Sequence, residues 1–193
     1  MHKSRLEAFS DGVLAIIITI MVLELKVPHS SELWSLIELL PTFISYAISF
    51  IYISIYWNNH HHLFQIVKHV NGPILWANAH LLFWLSIVPF VTAWSGENHF
   101  AAVPVALYGI ILFLAGASYY ILTLTLLAAH GKESDLAKAI GKDIKGKISM
   151  VLYALAIPVA FYAPYFALFI YILVAGMWIV PDKRIEKTLN LIK

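Results

Sequence analysis

The chain has 193 residues, 61% of them hydrophobic and 12% charged, with a net charge of +2. A soluble domain is about half apolar and about a quarter charged, so this composition, with a mean hydropathy of +0.79, excludes an ordinary soluble fold. It predicts an all-α integral membrane protein forming a single domain over residues 1–193, with membrane lipid around it and no nucleic-acid partner. Cysteine is absent, which excludes disulfides and thiolate chemistry.

A helix needs about 20 residues to cross the hydrocarbon core. Apolar runs predict spans at 8–25, 33–57, 74–94 and 102–129. The first run lacks a small-residue cleavage site and reads as a span, not as a removable signal peptide. The stretch 148–180 carries no charge and is too long for one crossing. Pro158 and Pro164 divide it into two short helices with a turn near 162–165, which makes six spans. An even count puts both termini on one side with segments 58–73 and 130–147, and that side then holds every Lys and Arg except Lys26. Positive residues collect on the cytoplasmic side, so both termini are expected there. Segment 130–147 is expected to be a loop with one short helix, its charges facing water and headgroups.

The first span, RLEAFSDGVLAIIITIMVLEL at 5–25, has two faces. At about 100° per residue, Ile20 and Leu23 fall within about 40° of Ile16, with Thr19 at one edge and Gly12 one turn earlier. Periodicity alone favours a lipid-facing role for this stripe, since every membrane helix has such stripes. Asp11 lies roughly 140° from Ile16. An ionisable group in a span is costly and normally faces the bundle interior with a partner. Arg5 is too far along the helix for i, i+4 pairing with Asp11, so a neighbouring helix or subunit must complete any bridge. A plainer alternative makes Ser10 or Asp11 the N-cap of the helix.

The pattern Arg5-x-x-x-Phe9-Ser10-Asp11 at the head of the first span resembles the signature of the transmembrane protein 175 family of potassium channels. YWNNHHHLF at 56–64 and Asn78-x-x-Leu81-Leu82 with Pro89 resemble that family's second and third helices, and the likeness runs over essentially the whole chain. The resemblance implies the single-repeat prokaryotic form, in the inner membrane: a homotetramer around one central pore lined by the first helix, passing K+ without a cofactor or bound metal. It implies that Ile16 forms the narrowest ring, that Ile20 and Leu23 form further rings, and that Thr19 is the pore threonine. The Thr-Val-Gly-Tyr-Gly filter of other potassium channels is absent, and a hydrophobic constriction can gate by dewetting. The expectation is a potassium-selective channel with an aliphatic constriction. The alternative is a proton-coupled cation transporter, a class usually built from repeats with broken helices; here only Pro89 and Pro158 would break helices, and no repeat is visible.

On the back of this helix, Arg5, Phe9, Ser10 and Asp11 are expected to join a structural polar network that fixes its rotation, with His60, His61, Asn78 and His80 as candidate partners. Glu24, just past Leu23, is the candidate pore-mouth acid, and an ordinary interfacial acid is the equal alternative. The run NHHH at 59–62 invites a metal reading, but adjacent histidines on one helix point in different directions and no acid or cysteine completes a site. Trp57 and the other tryptophans near span ends read as interface anchors. Gly109 and Gly116 on the fourth span read as close packing. No nucleophile–base pair or cofactor loop suggests an enzyme.

Overall fold

A computed structural model describes residues 2–131, 133–141 and 143–179. Their regular structure is helical: α1 (Lys3–Leu23), α2 (Leu33–Glu38), α3 (Leu40–Ile66), α4 (Gly72–Ser86), α5 (Val88–Glu97), α6 (Ala102–His130), α7 (Asp135–Ile140), α8 (Ile144–Ala160) and α9 (Pro164–Ile179). Four stretches are long and apolar enough to cross a membrane: α1, α3, α4 with α5, and α6. The hairpin of α8 and α9 is shorter, at 17 and 16 residues. Pro158 lies in the last turn of α8 and Pro164 opens α9, so the chain turns at 161–163 between them.

Proline also explains the joint between α4 and α5. Pro89 has no N–H to offer the preceding turn, the ladder lapses at Ile87, and α5 resumes at Val88. The start of α4 is fixed by Asn71, whose side chain accepts from the Ile74 N–H at 3.1 Å, with Pro73 in the first turn.

Several boundaries differ from the expectation. Helix α1 begins at Lys3, with His2 as its N-cap. Ser10 and Asp11 therefore sit inside the helix and cap nothing; Ser10 Oγ donates instead to the Leu6 carbonyl at 2.9 Å. Helix α3 continues past Trp57 through the histidine run to Ile66, which shortens the expected 58–73 connection to a few residues. Residues 33–38 form the separate helix α2, whose Leu33, Trp34, Leu36 and Ile37 are all exposed. The segment 130–147 holds α7, capped by Ser134. Of the positive residues used for orientation, Lys132, Lys142, Lys183, Arg184, Lys187 and Lys193 lie outside the described residues.

Helix α6 runs through the centre, packed on α4, α5, α8 and α9, with Leu112, Ala115, Leu122 and Leu126 fully buried. Lipid tails are as apolar as leucine, so such packing rests on van der Waals fit and on polar bonds between helices. Tyrosines supply many of those bonds. Tyr153 Oη donates to Tyr52 Oη at 3.2 Å, Tyr52 Oη to the Tyr171 carbonyl, and Tyr171 Oη to the Val105 carbonyl at 3.3 Å. At the far end of α1, Lys26 bonds Glu97 at the end of α5, and that carboxylate holds the exposed ammonium above its usual value.

Gly109 is where α6 and α9 come closest. A Cβ there would lie 2.0 Å from Tyr171 Oη and 2.7 Å from its Cζ, and Tyr171 is fully buried. Gly109→Ala is therefore expected to cost about 1–3 kcal/mol by overpacking, seen as a lower thermal midpoint of the purified protein. Gly116→Ala should leave the midpoint unchanged, because the nearest atom to its Cβ would be Tyr56 Oη at 3.8 Å.

Candidate functional site on the first helix

Helix α1 has one packed face and one bare face. Leu6, Ser10, Leu14, Ile17 and Met21 are buried at i, i+3, i+4 spacing, against α3, α4 and α5. On the other side Phe9, Ile16, Ile20 and Leu23 are 62%, 59%, 43% and 79% exposed in the single chain. Gly12 and Thr19 share that face. Thr19 Oγ1 donates to the Ile16 carbonyl at 2.8 Å. That bond consumes the hydroxyl hydrogen and leaves the oxygen lone pairs free to accept or to solvate a cation.

The packed face carries a directional chain of hydrogen bonds. His60 Nε2 lies 2.8 Å from Asn78 Oδ1, Asn78 Nδ2 donates to Ser10 Oγ at 2.9 Å, and Ser10 donates to the Leu6 carbonyl. Because the amide oxygen of Asn78 only accepts, His60 carries its proton on Nε2. Each donor faces one acceptor, so α3, α4 and α1 are tied at one height by groups at most 5% exposed. The His60 ring also stacks on Phe64, with centroids 4.4 Å apart.

The remaining candidates stand elsewhere. Asp11 is exposed and accepts from Trp57 Nε1 at 3.0 Å; Arg5 is exposed and pairs with no acid among the described residues. Phe9 lies on the bare face, one heptad before Ile16. His61 bonds Gln65 at 2.8 Å and stacks on Trp57. His80 accepts from Trp84 Nε1 at 3.0 Å on an exposed surface. Glu24 is the exposed C-cap of α1. Among the described residues, no group of three His, Asp or Glu side chains converges as metal ligands would.

A second polar knot escaped the sequence reading. Thr92 Oγ1 donates to the Val88 carbonyl at 2.7 Å and lies 2.6 Å from Ser49 Oγ, which lies 2.8 Å from Tyr108 Oη. Ser45 Oγ donates to the Thr92 carbonyl at 2.7 Å, and the Thr92 hydroxyl touches Met21 Sδ of α1 at 4.0 Å. Its signal was the pair of serines four apart in an otherwise apolar α3, which share one helix face.

Similarity to known proteins bears on this helix first. The model of the family described as endosomal/lysosomal potassium channel TMEM175 matches residues 5–89. A potassium channel of Chryseobacterium sp. (strain P1-3) is 58% identical over 190 residues, 98% of this chain and 99% of that one. The crystal structure of a lysosomal potassium-selective channel TMEM175 homolog from Chamaesiphon minutus aligns with a TM-score of 0.78 and 29% identity, covering 91% of this chain and 95% of that one. The endosomal/lysosomal proton channel TMEM175 of Gallus gallus is 39% identical over 79 residues, 35% of this chain and 16% of that protein.

Proposed function

The chain belongs to the TMEM175 family of channels, a family of multi-pass membrane proteins and not of enzymes, and from that premise we propose that it is a potassium-selective channel whose constriction is a ring of Ile16 side chains. The observation that carries this reading is the bare face of α1: a helix packed by hydrogen bonds and apolar contacts on one side leaves Ile16, Thr19, Ile20 and Leu23 exposed in the single chain. In a homotetramer those faces meet at a central axis. The single domain then spans the inner membrane six times, with α8 and α9 as the fifth and sixth crossings and both termini in the cytoplasm. At about 1.5 Å per residue, α8 reaches slightly less than a hydrocarbon core about 30 Å thick, a mismatch a bilayer absorbs by local thinning.

A ring of four isoleucines excludes water in its narrow state, and an ion passes only after shedding part of its shell. The larger cation sheds water more cheaply, which favours K+ over Na+, and the Thr19 oxygens one turn on re-solvate the ion. Glu24 at the mouth adds negative charge that concentrates cations. The test is passive K+ and Na+ flux into liposomes holding the purified protein. Potassium-preferring flux without a proton gradient supports the channel; flux only when protons are driven across would favour proton-coupled transport and return the bare face to lipid.

Asp11, roughly 140° round the helix from Ile16, and Trp57 lie on an exposed flank of the protomer, and their bond fixes the surface that a neighbouring subunit would cover. Asp11→Ala is expected to reduce the tetrameric fraction on size exclusion to half or less, while the reversal potential of the channels that do form stays at the wild-type value. Full assembly with altered selectivity would contradict this role.

A further inference from the structure

Away from α1, a cavity of about 50 Å3 lies between α3, α6, α8 and α9. A water needs about 10–15 Å3 of such space, so the cavity has room for several waters or one small organic molecule. Its walls are aromatic, formed chiefly by Tyr56, Tyr119, Tyr153 and Trp178, and no residue of α1 contributes to it. Besides tyrosine hydroxyls and Ser149, the lining holds an amide and an acid. Asn59, 5% exposed, spends its amide nitrogen on the Ile55 carbonyl at 2.8 Å, and its side-chain oxygen accepts from no described residue. Asp143 accepts from the Gly146 N–H through Oδ1 at 3.1 Å, and its other oxygen pairs with no cation among the described residues.

Asp143 is held there at a cost. Its φ of 38° is left-handed, uncommon for a residue with a side chain, and a Cβ on residue 146 would meet Asp143 Oδ2 at 2.5 Å, so a side chain there would displace the carboxylate. The aromatic wall already attracts positive charge: Lys145 Nζ lies 6.0 Å from the centre of the Trp178 ring while donating to the Met177 carbonyl at 3.3 Å. Aromatic faces with an acid and an amide oxygen match the chemistry that holds alkylammonium ions.

We propose that this cavity binds a small organic ammonium ion, its charge on Asp143 and the Asn59 oxygen and its carbon groups against Tyr56, Tyr119, Tyr153 and Trp178. The probe is tetramethylammonium, titrated against the full-length protein in phosphatidylglycerol nanodiscs, which carry no choline, and read by saturation transfer to its methyl protons. Asp143→Asn keeps the left-handed residue and the cap but removes the charge, and should weaken binding at least tenfold. Gly116→Leu, whose Cβ would meet Tyr56 Oη at 3.8 Å and Tyr153 Cε2 at 4.0 Å, fills the cavity from α6 and should abolish binding. Ile16→Asn should leave it unchanged. Absence of saturable binding to the wild type, binding retained by both cavity variants, or binding lost in Ile16→Asn, which would place the ion in the pore, would each overturn the proposal.

Discussion

Ile16→Asn raises conductance several-fold and brings the reversal potential under opposed K+ and Na+ close to zero: that is the expected result of replacing the narrowest aliphatic ring with an amide. In the proposed channel the isoleucine ring selects by withholding water, so an ion's passage is governed by how much of its shell it must lose. Four amides would wet the constriction and offer each ion oxygens and N–H groups in place of the waters it sheds. The barrier falls for both cations, and it falls further for Na+, which had more to lose. The bare face of α1 is exposed in the single chain, so the substitution removes no packing within the protomer, and yield and oligomeric state should match the wild type. A recording with unchanged reversal potential from well-assembled protein would remove Ile16 from the filter.

The second large effect is expected at Asn78. Asn78→Leu leaves Ser10 Oγ without a donor and His60 Nε2 without an acceptor, both buried. A stranded buried polar group costs about 1–3 kcal/mol, and Ser10 keeps its own bond to the Leu6 carbonyl, so the loss should reach about 1–3 kcal/mol, read as a fall in the thermal midpoint and in the tetramer recovered from membranes. Replacing both partners of a bond with apolar groups can be almost neutral, so the double variant His60→Phe, Asn78→Leu should recover part of the loss. A double variant no better than Asn78→Leu would mean that the side chain acts by shape and not by its hydrogen bonds.

The crossings were legible because a membrane leaves few alternatives: a long uncharged run must be helix. Helix ends were not. Polar residues at 58–62 read as a connection, yet α3 continues through them because His60 and Asn59 are satisfied by other helices and by their own backbone. The same limit applies to the polar group on α1. Ser10, Asn78 and a histidine could be proposed as neighbours from the cost of burying them. Choosing His60 over His61 required the rotation of α3, since adjacent residues differ by about 100°. Phe9 illustrates the converse: within the motif it sits beside Ser10, but on the helix it belongs with Ile16. Trp57 read as an interface anchor because its indole nitrogen gave no hint of Asp11, which meets it only through the packing of α1 on α3.

The joint at Ile87 divides the third crossing into two rigid pieces, and each grips α1 at its own height. The inner piece holds it through Asn78 and Ser10, the outer one through Thr92 against Met21. A straight rod clamped by a jointed bar can be twisted at one end while the other stays still. Torque applied to α5 would therefore reach Ile20 and Leu23 before it reached Ile16, and in the proposed channel the pore would loosen from that end first.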